Sequence, residues 1–193
     1  MNTRRVIISG LGVISPYGIG ADIYWSNLIA GKSAAKMIDT FDASGLPTQF
    51  AAPVPLDDQQ LDDLVENKKS TKTMSRAIKQ AVISAQEAVK NSGLDFNRTD
   101  PFRVGVSIGV GGLGLWDLDH SKHMLQIVIN STKAENELCY GKVWQNQLTQ
   151  VHPLTSLKAL PNMAAAHIAI NYNARGHCQT ITTACTSSSA SAR

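Results

Sequence analysis

Gln179-Thr180-Ile181-Thr182-Thr183, then Ala184-Cys185-Thr186, then Ser187-Ser188-Ser189-Ala190-Ser191, place a β-branched strand, a cysteine turn and the start of a helix in immediate succession. A strand that feeds directly into a helix belongs to layered α/β proteins. The turn is also the most informative chemical feature of the chain. A thiol at the head of a helix faces unpaired backbone N–H groups and the positive end of the helix dipole, and both favour the nucleophilic thiolate. The tight turn pushes the side chain out of the sheet, the logic of the nucleophile elbow, although Gly-x-Ser-x-Gly is absent. On position alone a buried, inert cysteine is as good a reading, since that is the commoner fate of a free thiol.

Working outward from Cys185, the chain alternates strands and helices. Residues 160–172 read as a helix that buries small side chains, with Ala164, Ala165, Ala166 and Ala169 allowing close packing, and Asn173 is placed to take a left-handed cap. Residues 103–108 read as a strand closed by a glycine loop. Residues 72–91 form the clearest helix, with Met74, Ile78, Ala81, Val82, Ala85, Ala88 and Val89 at three- and four-residue steps and Ser92-Gly93 as its stop. Residues 4–9 read as a short buried strand stopped by Gly10 and Gly12, and residues 21–30 as a helix ended by Gly31. Residues 32–60 look irregular, punctuated by Pro47, Pro53 and Pro55. Residues 121–129 read as helical, whereas 130–150 show no clear period. No repeat or low-complexity segment interrupts this order.

Composition sets the broad class. With 193 residues, 43% apolar and 17% charged, the chain has one domain's worth of core and is not a disordered segment. A net charge of +3 is too mild to argue for nucleic acid. Three cysteines do not make a disulfide scaffold, and their spacing fits no zinc pattern. No run reaches the roughly 18 apolar residues of a membrane span, and Val6-Ile7-Ile8 is too short for a signal-peptide core. These features predict a cytoplasmic protein in a reducing compartment.

The remaining candidates are weaker. Gly109-Val110-Gly111-Gly112-Leu113-Gly114 formally matches Gly-x-Gly-x-x-Gly after a strand, which suggests a dinucleotide. It is not the first strand–helix turn, however, and glycines that let the backbone pass close to another segment are the preferred reading. Asp57, Asp58, Asp62, Asp63 and Glu66 are followed by Lys68, Lys69, Lys72, Arg76 and Lys79, which reads as a solvated face with local ion pairs. Cys178 is expected in the core. His120 and His123 share a helix spacing but lack a third ligand, His152 falls in a loop, His167 reads as a satisfied core histidine, and His177 precedes the last strand.

The run from Asn162 through Arg175-Gly176 to Thr183-Ala184-Cys185-Thr186-Ser187 resembles the active-site region of elongating β-ketoacyl-acyl carrier protein synthases, the condensing enzymes with the thiolase-like fold. Arg4-Arg5-Val6-Ile7-Ile8-Ser9-Gly10-Leu11-Gly12 resembles the opening of that family, as do Leu28-Ile29-Ala30-Gly31-Lys32-Ser33 and Ile38-Asp39-Thr40-Phe41-Asp42. Ile108-Gly109 with Gly111-Gly112-Leu113-Gly114 is similar to its glycine-rich loop by the acyl pocket. The likeness covers nearly the whole chain and is poorest over 130–158.

The resemblance implies an α/β fold, the N-terminal half of a thiolase-like layered architecture with a mixed sheet packed between helices. Residues 1–193 would be the family's N-terminal domain, cut just after the nucleophile, with the C-terminal half absent. It implies Cys185 as the acyl-accepting nucleophile, its amide N–H as one part of an oxyanion hole, and Val110, Gly111 and Gly112 as substrate-binding residues beside the acyl pocket. Lys68, Lys69 and Lys72 fall where the family faces its acidic carrier protein. The implied partners are acyl carrier protein, acyl and malonyl thioesters and a second copy in a homodimer, with no nucleic acid and no membrane span. No resident cofactor or metal is implied, because phosphopantetheine arrives on the carrier.

Three departures accompany the likeness. His177 stands where Pro usually follows Arg-Gly, Asn173 replaces a usual glycine, and none of the five histidines occupies a family catalytic position. The resemblance also implies that the first half packs on the second through buried helices, so an isolated half should expose apolar surface. The alternative expectation is a non-catalytic remnant or partner subunit that binds a carrier protein or a complete synthase.

Overall fold

The computed structural model describes residues 5–111, 118–133, 137–151 and 153–192, the side chains at 118–120, 122 and 123 excepted. Its elements run β1 (Ile14–Ser15), β2 (Gly18–Ile19), α1 (Ala21–Ile29), β3 (Lys36–Met37), β4 (Phe50–Ala51), α2 (Asp58–Leu64), α3 (Arg76–Ser92), β5 (Val106–Gly109), α4 (Leu118–Asn130), α5 (Tyr140–Gln150), α6 (Thr155–Ala159), α7 (Met163–Asn171), β6 (Cys178–Ile181) and α8 (Ser187–Ser191). Short 3-10 turns cover Lys68–Thr73, Phe96–Arg98, Pro101–Arg103 and Ala184–Thr186.

Helix α3 organises the core. Ser75 caps it by accepting from the Ile78 amide, and Gly93 ends it at φ 66, a left-handed position that suits glycine. One face buries Ile78, Val82 and Ile83, together with Met74 just before the cap. Leu61 and Val65 from α2 and its exit cover that face on one side, and Ala164 and Ile168 of α7 cover it on the other. Asp57 starts α2 with a reciprocal capping box: its carboxylate accepts from the Gln60 amide at 2.7 Å, and the Gln60 side chain accepts from the Asp57 amide at 2.8 Å. Helix α7 packs on α3 and on both β5 and β6, and α8 also packs on β5 and β6.

That pair is parallel, in the register Val106↔Cys178 to Gly109↔Ile181. β1–β2 and β3–β4 are separate antiparallel ladders. The described strands thus form three two-stranded ladders instead of one continuous sheet.

The segment expected as a strand at 4–9 is not one over its described residues. Val6, Ile7 and Ile8 are 90%, 75% and 82% exposed, with no ladder partner. What holds the following residues is α3. The Leu11 amide donates to Asn91 at 3.0 Å, and a Cβ on Gly10 or Gly12 would lie 2.2 Å from the Ala88 carbonyl oxygen or 1.9 Å from that of Ser84. The two glycines therefore let this segment lie directly on the helix backbone, a contact no larger residue fits.

Other expectations resolve in both directions. Asn173 is left-handed, at φ 49. Residues without a legible period turn out to hold α5, which pairs with α4 around the buried Ile127, while Asn146 donates to the buried Ser131 hydroxyl at 3.0 Å. Cys178 is exposed on β6, not in the core, because its strand lies at the edge of a two-stranded pair. Large apolar side chains are bare at Trp25, Ile29, Phe102, Trp144 and Leu148, in line with the expectation for an isolated half.

Candidate active site

Cys185 stands on the 3-10 turn Ala184–Thr186 between β6 and α8, and it is exposed with a free thiol. The residue before it, Ala184, has φ 52. A residue with a Cβ takes this left-handed conformation only when its surroundings impose it. The strand-to-helix geometry read from the sequence is therefore present. The helix that follows is short, Ser187–Ser191.

The turn is tied to the end of β5. The Val110 amide donates to the Ile181 carbonyl at 2.9 Å, carrying the parallel ladder one residue past β5. Ser187, 2% exposed, lies under the turn. Its hydroxyl accepts from the Thr183 amide at 2.8 Å, and its single proton is shared between the carbonyls of Ala184 at 2.7 Å and Val110 at 2.8 Å. Thr186 adds hydrogen bonds from its hydroxyl to the Thr183 carbonyl and hydroxyl, at 2.8 and 3.0 Å. A Cβ on Gly109 would sit 2.5 Å from the backbone of Ser187 and Ser188. This glycine lets α8 cross the end of β5, which is the close-approach reading of the glycine run.

Val110 is buried and is hydrogen-bonded through its carbonyl to Ser187, which ties it to the turn that carries Cys185. Gly111 is exposed with open space around its Cα. Gly112 lies outside the described residues, as do His152 and the side chains of His120 and His123. A polar chain runs along the same strand pair: His177 bonds Gln179 at 2.9 Å, Gln179 donates to Ser107 at 2.9 Å, and Ser107 donates to the Ser191 carbonyl at 2.7 Å. Neither this chain nor Ser187 was singled out in the sequence. The signal for Ser187 was its place two residues after the cysteine, opposite a glycine that follows a strand.

The three lysines lie elsewhere, on the 3-10 turn Lys68–Thr73, and all are exposed. Lys68 donates to the carbonyls of Asp62 and Asp63 at the end of α2, where a cation offsets the helix dipole. Further along the charge run, Arg76 pairs with Asp58 at 2.9 Å and the nearly buried Lys79 with Asp62 at 2.7 Å, so local ion pairing accounts for these residues. His167 is buried in α7 with its Nε2 3.3 Å from the Thr73 hydroxyl, a satisfied core histidine as expected. Burial pushes its pKa below the usual histidine value, opposed by hydrogen bonding to Thr73. Among the described residues lie a cleft of about 910 Å³ bordered by Lys36, Leu56, Arg76 and Lys158, and an apolar cavity of about 240 Å³ bordered by Val89, Phe96, Val106 and Tyr172. Cys185 borders neither.

Comparison with known proteins finds relatives over almost the whole chain. The family described as "Beta-ketoacyl synthase, N-terminal domain" matches residues 3–193. The 3-oxoacyl-[acyl-carrier-protein] synthase 2 of Coxiella burnetii is 36% identical over 186 residues, which cover 96% of this chain and 40% of that protein. The solved ishigamide ketosynthase/chain length factor superposes with a TM-score of 0.68 at 22% identity, over 93% of this chain and 40% of that one. A type II polyketide ketosynthase solved in complex with its acyl-carrier protein, AntDE:AntF, superposes with a TM-score of 0.62 at 16% identity, over 96% of this chain and 43% of that one. The chain thus spans about 40% of the length of the curated relatives it matches. No described helix is long and apolar enough to cross a membrane. With the family match over almost every residue and the ketosynthase fold around the cysteine turn, the chain belongs to the beta-ketoacyl synthase family, as its N-terminal domain.

Proposed function

We propose that the protein carrying this chain is a 3-oxoacyl-[acyl carrier protein] synthase of fatty acid or polyketide synthesis, with Cys185 as its acyl-accepting nucleophile. The observation that carries this reading is the exposed thiol on a left-handed strand-to-helix turn, latched to the end of β5. The Cys185 thiolate attacks an acyl thioester. A new thioester forms on sulfur and the carrier thiol leaves. Malonyl-carrier then loses CO₂, and the resulting carbanion attacks the acyl-Cys185 carbonyl. A C–C bond forms, the cysteine thiolate departs, and a 3-oxoacyl product stays on the carrier. The Cys185 amide serves as one donor to the developing oxyanion. No resident cofactor is needed, since the carrier brings phosphopantetheine.

Neither described histidine ring is placed to assist decarboxylation: His167 is buried against Thr73, and exposed His177 is bonded to Gln179. We assign that step to residues of the other part of the family's length. On the same reading the protein is a cytoplasmic homodimer, and β5–β6 belongs to a larger mixed sheet between helices. Val110, Gly111 and Gly112 border the acyl chain. Lys69 and Lys72 face the acidic carrier protein while Lys68 holds the end of α2, and docking weakens as salt rises.

The test is intact mass after incubation with a long-chain acyl thioester. A single adduct on wild-type protein and none on Cys185→Ala is expected. Equal acylation of the variant removes Cys185 from its role. No adduct on folded wild-type protein favours a non-catalytic binding partner instead.

A further inference from the structure

Ala184 raises a question of support. It is not glycine, yet it holds φ 52 immediately before the exposed Cys185. Relaxation into the right-handed region would swing the next residue to a new direction. Something must therefore hold this conformation. The contacts that bracket it converge on one buried hydroxyl. Ser187 Oγ accepts from the amide of Thr183, one residue before Ala184, and shares its proton with the carbonyl of Ala184 itself. The third contact, to the Val110 carbonyl, anchors that bracket to the end of β5. The Thr186 hydroxyl bonds to Thr183 and not to Ala184, so it is no substitute.

We infer that Ser187 is a positioning residue for Cys185: its hydroxyl keeps Ala184 left-handed and locks the cysteine turn to the loop entered at Val110. The inference rests on the proposed role of Cys185 for its meaning in catalysis, but not for its geometry. Removing Oγ takes away the partner of the Thr183 amide and one partner each of the Val110 and Ala184 carbonyls, the Ala184 carbonyl keeping only its bond from the Ser187 amide, around a side chain that is itself 2% exposed. Buried polar groups do not stay unpaired cheaply, so the backbone rotates to recover them. The rotation nearest to hand is at Ala184, and it carries Cys185 with it. Gly109 is part of the same device, because any Cβ there would push Ser187 away from Val110.

The experiment measures alkylation of Cys185 by iodoacetamide, followed by peptide mass spectrometry, and in parallel its acylation by a long-chain acyl thioester. Both are run on folded protein of wild type, Ser187→Ala, Ala184→Gly and the double variant, with exposed Ser188→Ala as control. Ser187→Ala is expected to slow alkylation at least tenfold, and Ser188→Ala less than twofold. Ala184→Gly in the Ser187→Ala background is expected to recover most of the rate, because glycine takes φ 52 without support. Recovery separates positioning from general packing, which a glycine would not restore. An alkylation rate for Ser187→Ala within twofold of wild type, or a loss that Ala184→Gly does not recover, overturns the inference. If Ser187→Ala alone does not fold, the double variant decides: near wild-type alkylation supports the inference and slow alkylation overturns it. Wild-type protein that alkylates in this pattern but takes no acyl group overturns the proposed reaction and leaves the inference standing.

Discussion

Helices α3 and α5 carry the same pattern and meet opposite fates. In α3, Ile78 and Val82 stand four residues apart and are 0% and 1% exposed. In α5, Tyr140, Trp144 and Leu148 stand four residues apart and are 73%, 66% and 80% exposed. Both stripes are amphipathic. The difference lies in what sits opposite. α2 and α7 close over the α3 stripe, whereas α5 touches α4 through a different side and leaves its stripe bare. A period of four establishes that an apolar face exists. Only neighbours remote in sequence determine whether it is core.

The contrast can be broken by truncation. Ile78→Ala is expected to cost about 3 kcal/mol, from lost transfer energy plus a residual cavity, read from the urea midpoint. If Ile78→Ala left that midpoint unchanged, α3 would not be the centre of the core. The next effect sharpens the same region. Ser75→Ala removes the cap of α3 and is expected to cost about 1 kcal/mol, seen as a smaller shift of the same midpoint. A cost equal to that of Ile78→Ala would mean the buried Ser75 does more than cap.

A third, condition-dependent effect comes from His167, where α7 lies on the α3 side of the core. Its pKa in the fold is held below the ordinary 6.5 by burial. Between the two values the unfolded chain binds more protons, so stability is full above the unfolded pKa and falls as pH drops through the folded one. His167→Gln should flatten the acid side of a stability–pH curve, and an unchanged slope would remove His167 from that window. The smallest effect belongs to α5. Leu148→Ala is expected to change stability by no more than about 0.5 kcal/mol. A loss of several times that would show that the α5 stripe is covered.

The site divides in the same way as the helices. Cys185 was legible because its signal is local: β-branched residues, then a cysteine, then small helix-starting residues. The left-handed Asn173 and the end of α3 at Gly93 were legible for the same reason. Ser187 was not, because its value comes from Val110, which lies 77 positions away in the chain. Residues 6–8 misled in the other direction. Three β-branched or apolar residues look like a buried strand, but a strand needs a neighbour to pair with, and none is supplied to them here. Gly10 and Gly12 looked like a strand stop and proved to be a contact surface for α3.

From the sequence alone came the class of fold, the main helix, the cysteine turn and the family likeness, all of which depend on side-chain type at short spacing. The tertiary structure alone decided which faces are covered, which lysine is spent on the end of α2, and how the turn before α8 is held. Those outcomes depend on backbone groups and side chains from distant segments meeting within about 3 Å of one another, the reach of a hydrogen bond, and no local pattern encodes that meeting.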